Sequence, residues 1–184
     1  MSTSRFAAAA IVAALFAAPA LAQTVEVGGQ PMFPSKTIVA NAVNSSDHTT
    51  LVAAVKAAGL VATLNTAGPF TVFAPTNAAF DALPAGTVAT LLKPENKPML
   101  TKVLTYHVVA GTYDSTRLKA MIKAGHGEAS LKTVEGGTLM FAMNGPTNIV
   151  VRDGKGDMAD ITITDVRQSN GVIHVVDKVL LPAG

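Results

Sequence analysis

The chain has no cysteine, and its charged residues come to only 14% of 184 positions. Without thiols there is no disulfide scaffold, no thiolate-held iron–sulfur cluster and no cysteine nucleophile. An average soluble domain is about 25% charged, so this one has an unusually plain surface. Fourteen Lys and Arg against twelve Asp and Glu leave a formal charge of +2. So weak a balance, with no basic cluster, points away from nucleic acid as a partner. Motifs of enzyme chemistry are missing too. There is no Gly-x-Ser-x-Gly elbow, no His-Glu-x-x-His helix and no phosphate-cradling glycine loop. Asp153, Asp157 and Asp160 lie close together, but their spacing does not fit a calcium loop and reads as a solvated turn. No metal or other cofactor is therefore expected. What the chain does have is 49% apolar residues. That is enough for one domain with a real core and too much for bulk disorder.

The N-terminus reads as an export address. Arg5 supplies a positive charge, residues 6–18 are a continuous apolar run, and Ala20-Leu21-Ala22 is a small-x-small cleavage site. A signal peptide over residues 1–22 sends the rest to the periplasm or the outside. The apolar run is shorter than the roughly 20 residues of a membrane span, and no transmembrane segment is expected after cleavage. Residues 23–36, with Gly28-Gly29, Pro31 and Pro34, read as an extended and mobile arm.

Residues 37–182 read as the folded domain. Helical spacing of Leu51, Val52, Val55 and Ala58 predicts a helix over 49–58, stopped by Gly59. Residues 70–74 form a β-prone run ended by Pro75, and Thr76 can cap a short helix reaching Phe80. Short helices follow around 88–92 and 94–105. Tyr106-His107-Val108-Val109 looks β-like, and Ser115 caps another helix carrying Leu118, Met121 and Ile122. Beyond Gly127 the period falls to two, with strands over 130–134, 138–143, 148–152, 160–166 and 172–181. Asn170-Gly171 suits a two-residue type I′ turn. That register sets Arg167 opposite His174 and Asp165 opposite Val176. Both faces of 172–176 are apolar, so His174 falls in a central strand, buried and neutral. Asp177 is expected to bond nearby amides. The fold class is α+β, with helices in the first half and a mostly antiparallel sheet in the second.

Two segments carry more than pattern. Phe70-Thr-Val-Phe-Ala-Pro-Thr-Asn-Ala-Ala-Phe80 and Ser169-Asn-Gly-Val-Ile-His-Val-Val-Asp-Lys-Val-Leu-Leu-Pro182 closely resemble the two signature motifs of the fasciclin-like domain family. Leu104-Thr-Tyr-His-Val-Val109, between them, resembles that family's tyrosine–histidine motif. The resemblance implies a twisted β-wedge with helices packed against it, and an adhesion or interaction role in a secreted or surface-attached protein. It also implies candidate partner-binding residues. Family members that bind receptors use an Asp-Ile pair upstream of the second motif, matched here by Asp165-Val166, and Tyr106 and His107 match the other adhesion element. Phe70, Phe73, Pro75, Thr76, Asn77, Phe80, Asn170, Gly171, His174 and Asp177 are assigned to architecture.

These readings converge on a secreted, non-enzymatic adhesion module, monomeric or weakly oligomeric, binding an extracytoplasmic protein or glycan. A periplasmic carrier of small molecules or lipids is the alternative, and an apolar cavity of several hundred cubic ångströms distinguishes it. A hydrolase is a remote third. It requires His107 or His174 in a cleft beside a nucleophile and a carboxylate.

Overall fold

The computed structural model describes residues 24–183. The signal peptide expected over 1–22 lies outside them. The segment read as a mobile arm is a hairpin: β1 (Val25–Val27) pairs antiparallel with β2 (Gln30–Met32). Gly28 and Gly29 hold φ of 59° and 69° between the strands, a left-handed pair that side chains resist. Val27 and Met32 are buried in the core, which is why this segment is fixed rather than loose.

Helices come next. α1 (Ile38–Ala42), α2 (Thr49–Ala58) and α3 (Val61–Leu64) precede β3 (Phe70–Pro75). α4 (Asn77–Asp81), α5 (Thr87–Leu91) and α6 (Lys97–Tyr106) lead to β4 (Val108–Ala110) and α7 (Ser115–Ala124). Gly59 ends α2 in the left-handed conformation, as its position predicts. At α7 the cap is Asp114 rather than Ser115. The Asp114 carboxylate accepts from the Arg117 amide, and Ser115 is the first helical residue. Tyr106 closes α6, so the β-like run of the tyrosine–histidine segment begins two residues later, at Val108.

The second half is β5 (Glu128–Lys132), β6 (Thr138–Asn144), β7 (Asn148–Arg152), β8 (Met158–Gln168) and β9 (Gly171–Val176). The strands form one seven-stranded sheet in the order β4-β3-β9-β8-β7-β6-β5. Every pairing is antiparallel except β3 with β9, which run parallel. Thr133, just past β5, bridges Val109 of β4, and the Val134 amide donates to the Val108 carbonyl at 2.8 Å. The two edges of the sheet thus meet, and it is nearly a closed barrel.

The β8–β9 register differs from expectation. Gln168 faces Gly171 and Arg167 faces Val172, so the turn is Ser169-Asn170. Register shifts between Ile161 and Val166 carry the strand from β7 to β9. Asp165 sits at this irregularity with φ 61°, a conformation in which Asp is tolerated better than most residues.

Alternation along the strands divides the interior in two. Val72 and Ala74 of β3 and Ile173 and Val175 of β9 pack toward the helices. Phe73 and Val176 face the barrel interior, where they join Leu118, Leu139, Phe141, Ile149 and Val151.

Candidate functional site

The proline corner is architecture down to its polar atoms. Pro75 ends β3, and the Thr76 hydroxyl accepts from the Ala79 amide at 3.2 Å to start α4. Asn77 reaches sideways. Its Oδ1 accepts from the Thr50 amide at 3.0 Å, and its Nδ2 donates to the Ser46 carbonyl at 2.8 Å. It therefore supplies the N-terminal turn of α2 with the acceptor that His48, at the cap position, does not provide. Phe73 and Phe80 are buried, and Phe70 is half-buried.

Asn170 does more than form a turn. Its Oδ1 accepts from the Ile38 amide at 3.0 Å, and its Nδ2 donates to the carbonyls of Leu64 at 2.7 Å and Thr66 at 3.0 Å. One side chain thus ties α1, α3 and the loop before β3 to the sheet. Beside it, a Cβ on Gly171 would fall 2.0 Å from the Phe70 carbonyl oxygen, so only glycine permits the parallel β3–β9 contact there. The Asp177 carboxylate accepts from the Asp160 amide at 2.8 Å, the amide bonding expected of it. Asp153, read as part of a solvated turn, is buried instead. Its oxygens accept from the amides of Lys155, Asp157 and Leu181 and clip the turn to the C-terminal segment.

Three of the four histidines are buried, His48 just before α2, His107 between α6 and β4, and His174 in β9. His107 accepts from the Leu180 amide through Nε2 at 2.9 Å and bonds the Val103 carbonyl through Nδ1 at 2.8 Å. Nδ1 therefore carries the proton. Burial drives its pKa down from 6.5 to about 4. His174 stacks on Phe73 with centroids 5.6 Å apart. Its Nε2 donates to the Tyr113 carbonyl at 2.8 Å, and its Nδ1 accepts from the Asp165 amide at 3.4 Å. Burial lowers its pKa as well, against the Tyr113 carbonyl and Asp165. Both rings are neutral fasteners with no nitrogen free to move a proton.

His48 is different. Its Nδ1 meets the Ser45 hydroxyl at 2.8 Å, while its Nε2 is buried without a hydrogen-bond partner. Burial lowers its pKa, opposed by the Ala74 carbonyl, which lies nearby but outside hydrogen-bond geometry, and by Asp47. The sequence shows only a histidine after Ser-Ser-Asp. Nothing local marks it as buried.

The residues matched to the family's adhesion elements are not laid out on the surface. Tyr106 and Val166 are 1% exposed and His107 2%. The Tyr106 hydroxyl donates to the Thr138 carbonyl at 2.7 Å, inside the wedge. Asp165 is half-buried and accepts from both the amide and the hydroxyl of Ser115. Tyr106 closes α6 against the core and His107 follows it inward, Val166 is buried on β8, and the irregularity in β8 turns Asp165 onto the start of α7.

Between the helices and the sheet lies a cavity of about 270 Å³. Its floor includes Val72, Leu104 and Ile173, and α1–α3 wall it with Val39, Leu51 and Val55 among others. The wall is apolar almost throughout, and the unpartnered His48 lies in it. Val43 and Val134, 48% and 49% exposed, also line it and carry the apolar surface outward.

The family model of the fasciclin domain matches residues 46–182. The chain belongs to the fasciclin domain family. Protein sll1483 of the cyanobacterium Synechocystis is 49% identical over 148 residues, 79% of this chain and 73% of the relative. The immunogenic protein MPB70 of Mycobacterium bovis is 36% identical over 146 residues, 77% of this chain and 66% of the relative. Among solved structures, a FAS1 domain pair from the insect cell adhesion molecule fasciclin I superposes with a TM-score of 0.71 at 18% identity. The match covers 79% of this chain and 51% of the insect pair. The fasciclin fold, with its mixed helices and mostly antiparallel, barrel-like sheet, is thus shared.

Proposed function

We infer that this fasciclin domain is an exported, non-enzymatic interaction module whose outer surface holds a protein or glycan partner outside the cytoplasm. Family membership supports the adhesion class, and the insect neighbour is a cell adhesion molecule by its description. The observation that carries the reading is the state of the motif histidines. His107 and His174 each bond through both ring nitrogens to backbone groups, which suits a scaffold and leaves neither for general acid–base work. Among the described residues no helix is long and apolar enough to cross a membrane. A glycan array and a pull-down from envelope extract test the module. Saturable, competable binding to one component is the expected result, and a blank in both contradicts it. N-terminal sequencing of the exported protein should begin at Gln23.

The cavity favours a second reading, that of a carrier for small apolar molecules. Ligand sites are concave and mostly apolar, with a few placed polar groups, and the space beneath the helices has that composition.

A further inference from the structure

We propose that the segment after β9, residues 178–183, is an acid-released strap whose latch is the bond from the Leu180 amide to Nε2 of His107. The proposal is independent of which partner the module holds. Beyond Asp177 the chain leaves the sheet and forms no further helix or strand among the described residues. Val179 is buried in the cluster under the helices and Leu180 in the barrel cluster. Three hydrogen bonds fix the strap between them. The Leu180 amide donates to His107 Nε2 at 2.9 Å and the Leu181 amide to the Asp153 carboxylate at 2.8 Å. The Gly154 amide donates to the Leu181 carbonyl at 3.2 Å. A Cβ on Gly154 would fall 2.3 Å from the Ala183 nitrogen, so the strap lies close against that turn.

The latch admits no proton while it is closed. The hydrogen on Nδ1 already goes to the Val103 carbonyl. A second proton can enter only at Nε2, where it would meet the Leu180 N–H, donor against donor. Attachment of the strap and protonation of the ring therefore exclude each other. Burial acts in the same sense and holds the ring's pKa down at about 4. The charged group acting on the ring is Asp153, in the turn after β7, and it favours the proton. Lys155 and Asp157 of that turn are exposed, as are Asp177 and Lys178 at the start of the strap. From α6 the ring meets the Val103 carbonyl and Tyr106, kept un-ionised by burial, and residues 70–75 of β3 carry no charge. Once the strap lifts, the exposed ring takes a proton with its ordinary pKa of 6.5. Each pH unit lost between about 6.5 and 4 therefore raises the open fraction about tenfold. Val179, Leu180 and Leu181 then reach solvent as an apolar tail.

Amide hydrogen exchange of the full chain, read by NMR from about pH 6.5 down to about pH 4, tests the latch. The protection factors of the Leu180 and Leu181 amides should fall about tenfold per pH unit, roughly 300-fold in all. Their exchange should not depend on low concentrations of urea, the mark of a local opening. The Val151 amide, in the barrel, should be better protected and should respond to urea. His107→Gln keeps an acceptor for Leu180 and a donor for Val103 but cannot titrate, and should flatten the pH profile. If that variant does not fold, the titration of the ring in the unsubstituted protein decides. A midpoint near 4 is expected, and one near 6.5 contradicts the latch. A flat profile in the unsubstituted protein, or a slope that survives His107→Gln, overturns the proposal. So does exchange of Leu180 and Val151 with one shared urea dependence, since the strap would then move only with the whole fold.

Discussion

The interior of the barrel and the space beneath the helices are built from the same apolar residue types, yet one is filled and the other hollow. In the barrel, Phe73 and Phe141 meet at 5.2 Å between ring centroids, and Leu139, Val151 and Val176 have no exposure. α7 covers this side with Leu118 and Ile122, and of the whole cluster only Phe73 lines the cavity. Under the helices the lining is mostly Val, Leu and Ala carried on short segments, and about 270 Å³ is left over. Aromatic side chains fill the barrel because opposed strands bring them together. Ile38, Leu51 and Leu64 of α1–α3 share one cluster with Val72 and Ile173 of the sheet, but their packing leaves that volume open. A void forfeits dispersion contacts, so a hollow half is a cost unless something occupies it.

The largest effect expected from breaking the filled half is that of Phe141→Ala, at about 3–5 kcal/mol by urea denaturation. Val55→Ala in the hollow half should cost less than about 1.5 kcal/mol, since its neighbours already face open space. Equal losses would mean that the two halves are equally packed.

Acid should act next. His107 holds a pKa of about 4 in the fold, against 6.5 when exposed. Between those values the unfolded chain binds a proton that the native ring does not, so stability rises with pH. It is complete above about pH 6.5 and falls as pH drops towards 4, by roughly 3 kcal/mol for this group. His48 and His174 shift in the same direction. A midpoint of unfolding unchanged between neutral and mildly acidic solution would contradict the sealed histidines.

Asn170→Ala removes three hydrogen bonds between the helices and the sheet and should cost about 2–3 kcal/mol. Asn170 stays outside the left-handed region, so its importance comes from its side chain, not its backbone. Smaller still is Asp165→Ala, about 1–2 kcal/mol, from the lost Ser115 bonds and a strained φ. Asp165→Gly, which relieves the strain but not the bonds, should lose less. Thermal melts separate the two, and an unchanged melt for Asp165→Ala would return that residue to the surface role the family resemblance implies.

Local signals were legible. The α2 stripe with Gly59, the Thr76 cap and the β-prone run ending at Pro75 each depend on residues a few positions apart. Contacts distant in sequence were hidden. The parallel pairing of 70–75 with 171–176 joins segments nearly a hundred residues apart, and period-two alternation says nothing of which strand is the neighbour. The hairpin at 25–32 was obscured because Pro31 and the glycines read as loop, whereas Val27 and Met32 fix it by burial. The turn at 169–170 slipped by one residue because the donor and the two acceptors that hold Asn170 belong to α1, α3 and the Thr66 loop. At the candidate site, no residue near Ser45 or His48 in sequence marks the cavity they line, since a cavity is a property of assembled elements.

The central claim is that one half of this domain is packed solid and the other keeps a dry space large enough for a guest. Crystals of the protein pressurised with xenon test it most directly, because the gas enters apolar voids without needing a polar partner. Xenon density bounded by Leu51, Val72 and Ile173, with none among Leu139, Phe141 and Val151, is the predicted result. Density inside the barrel, or none beneath the helices, would contradict it.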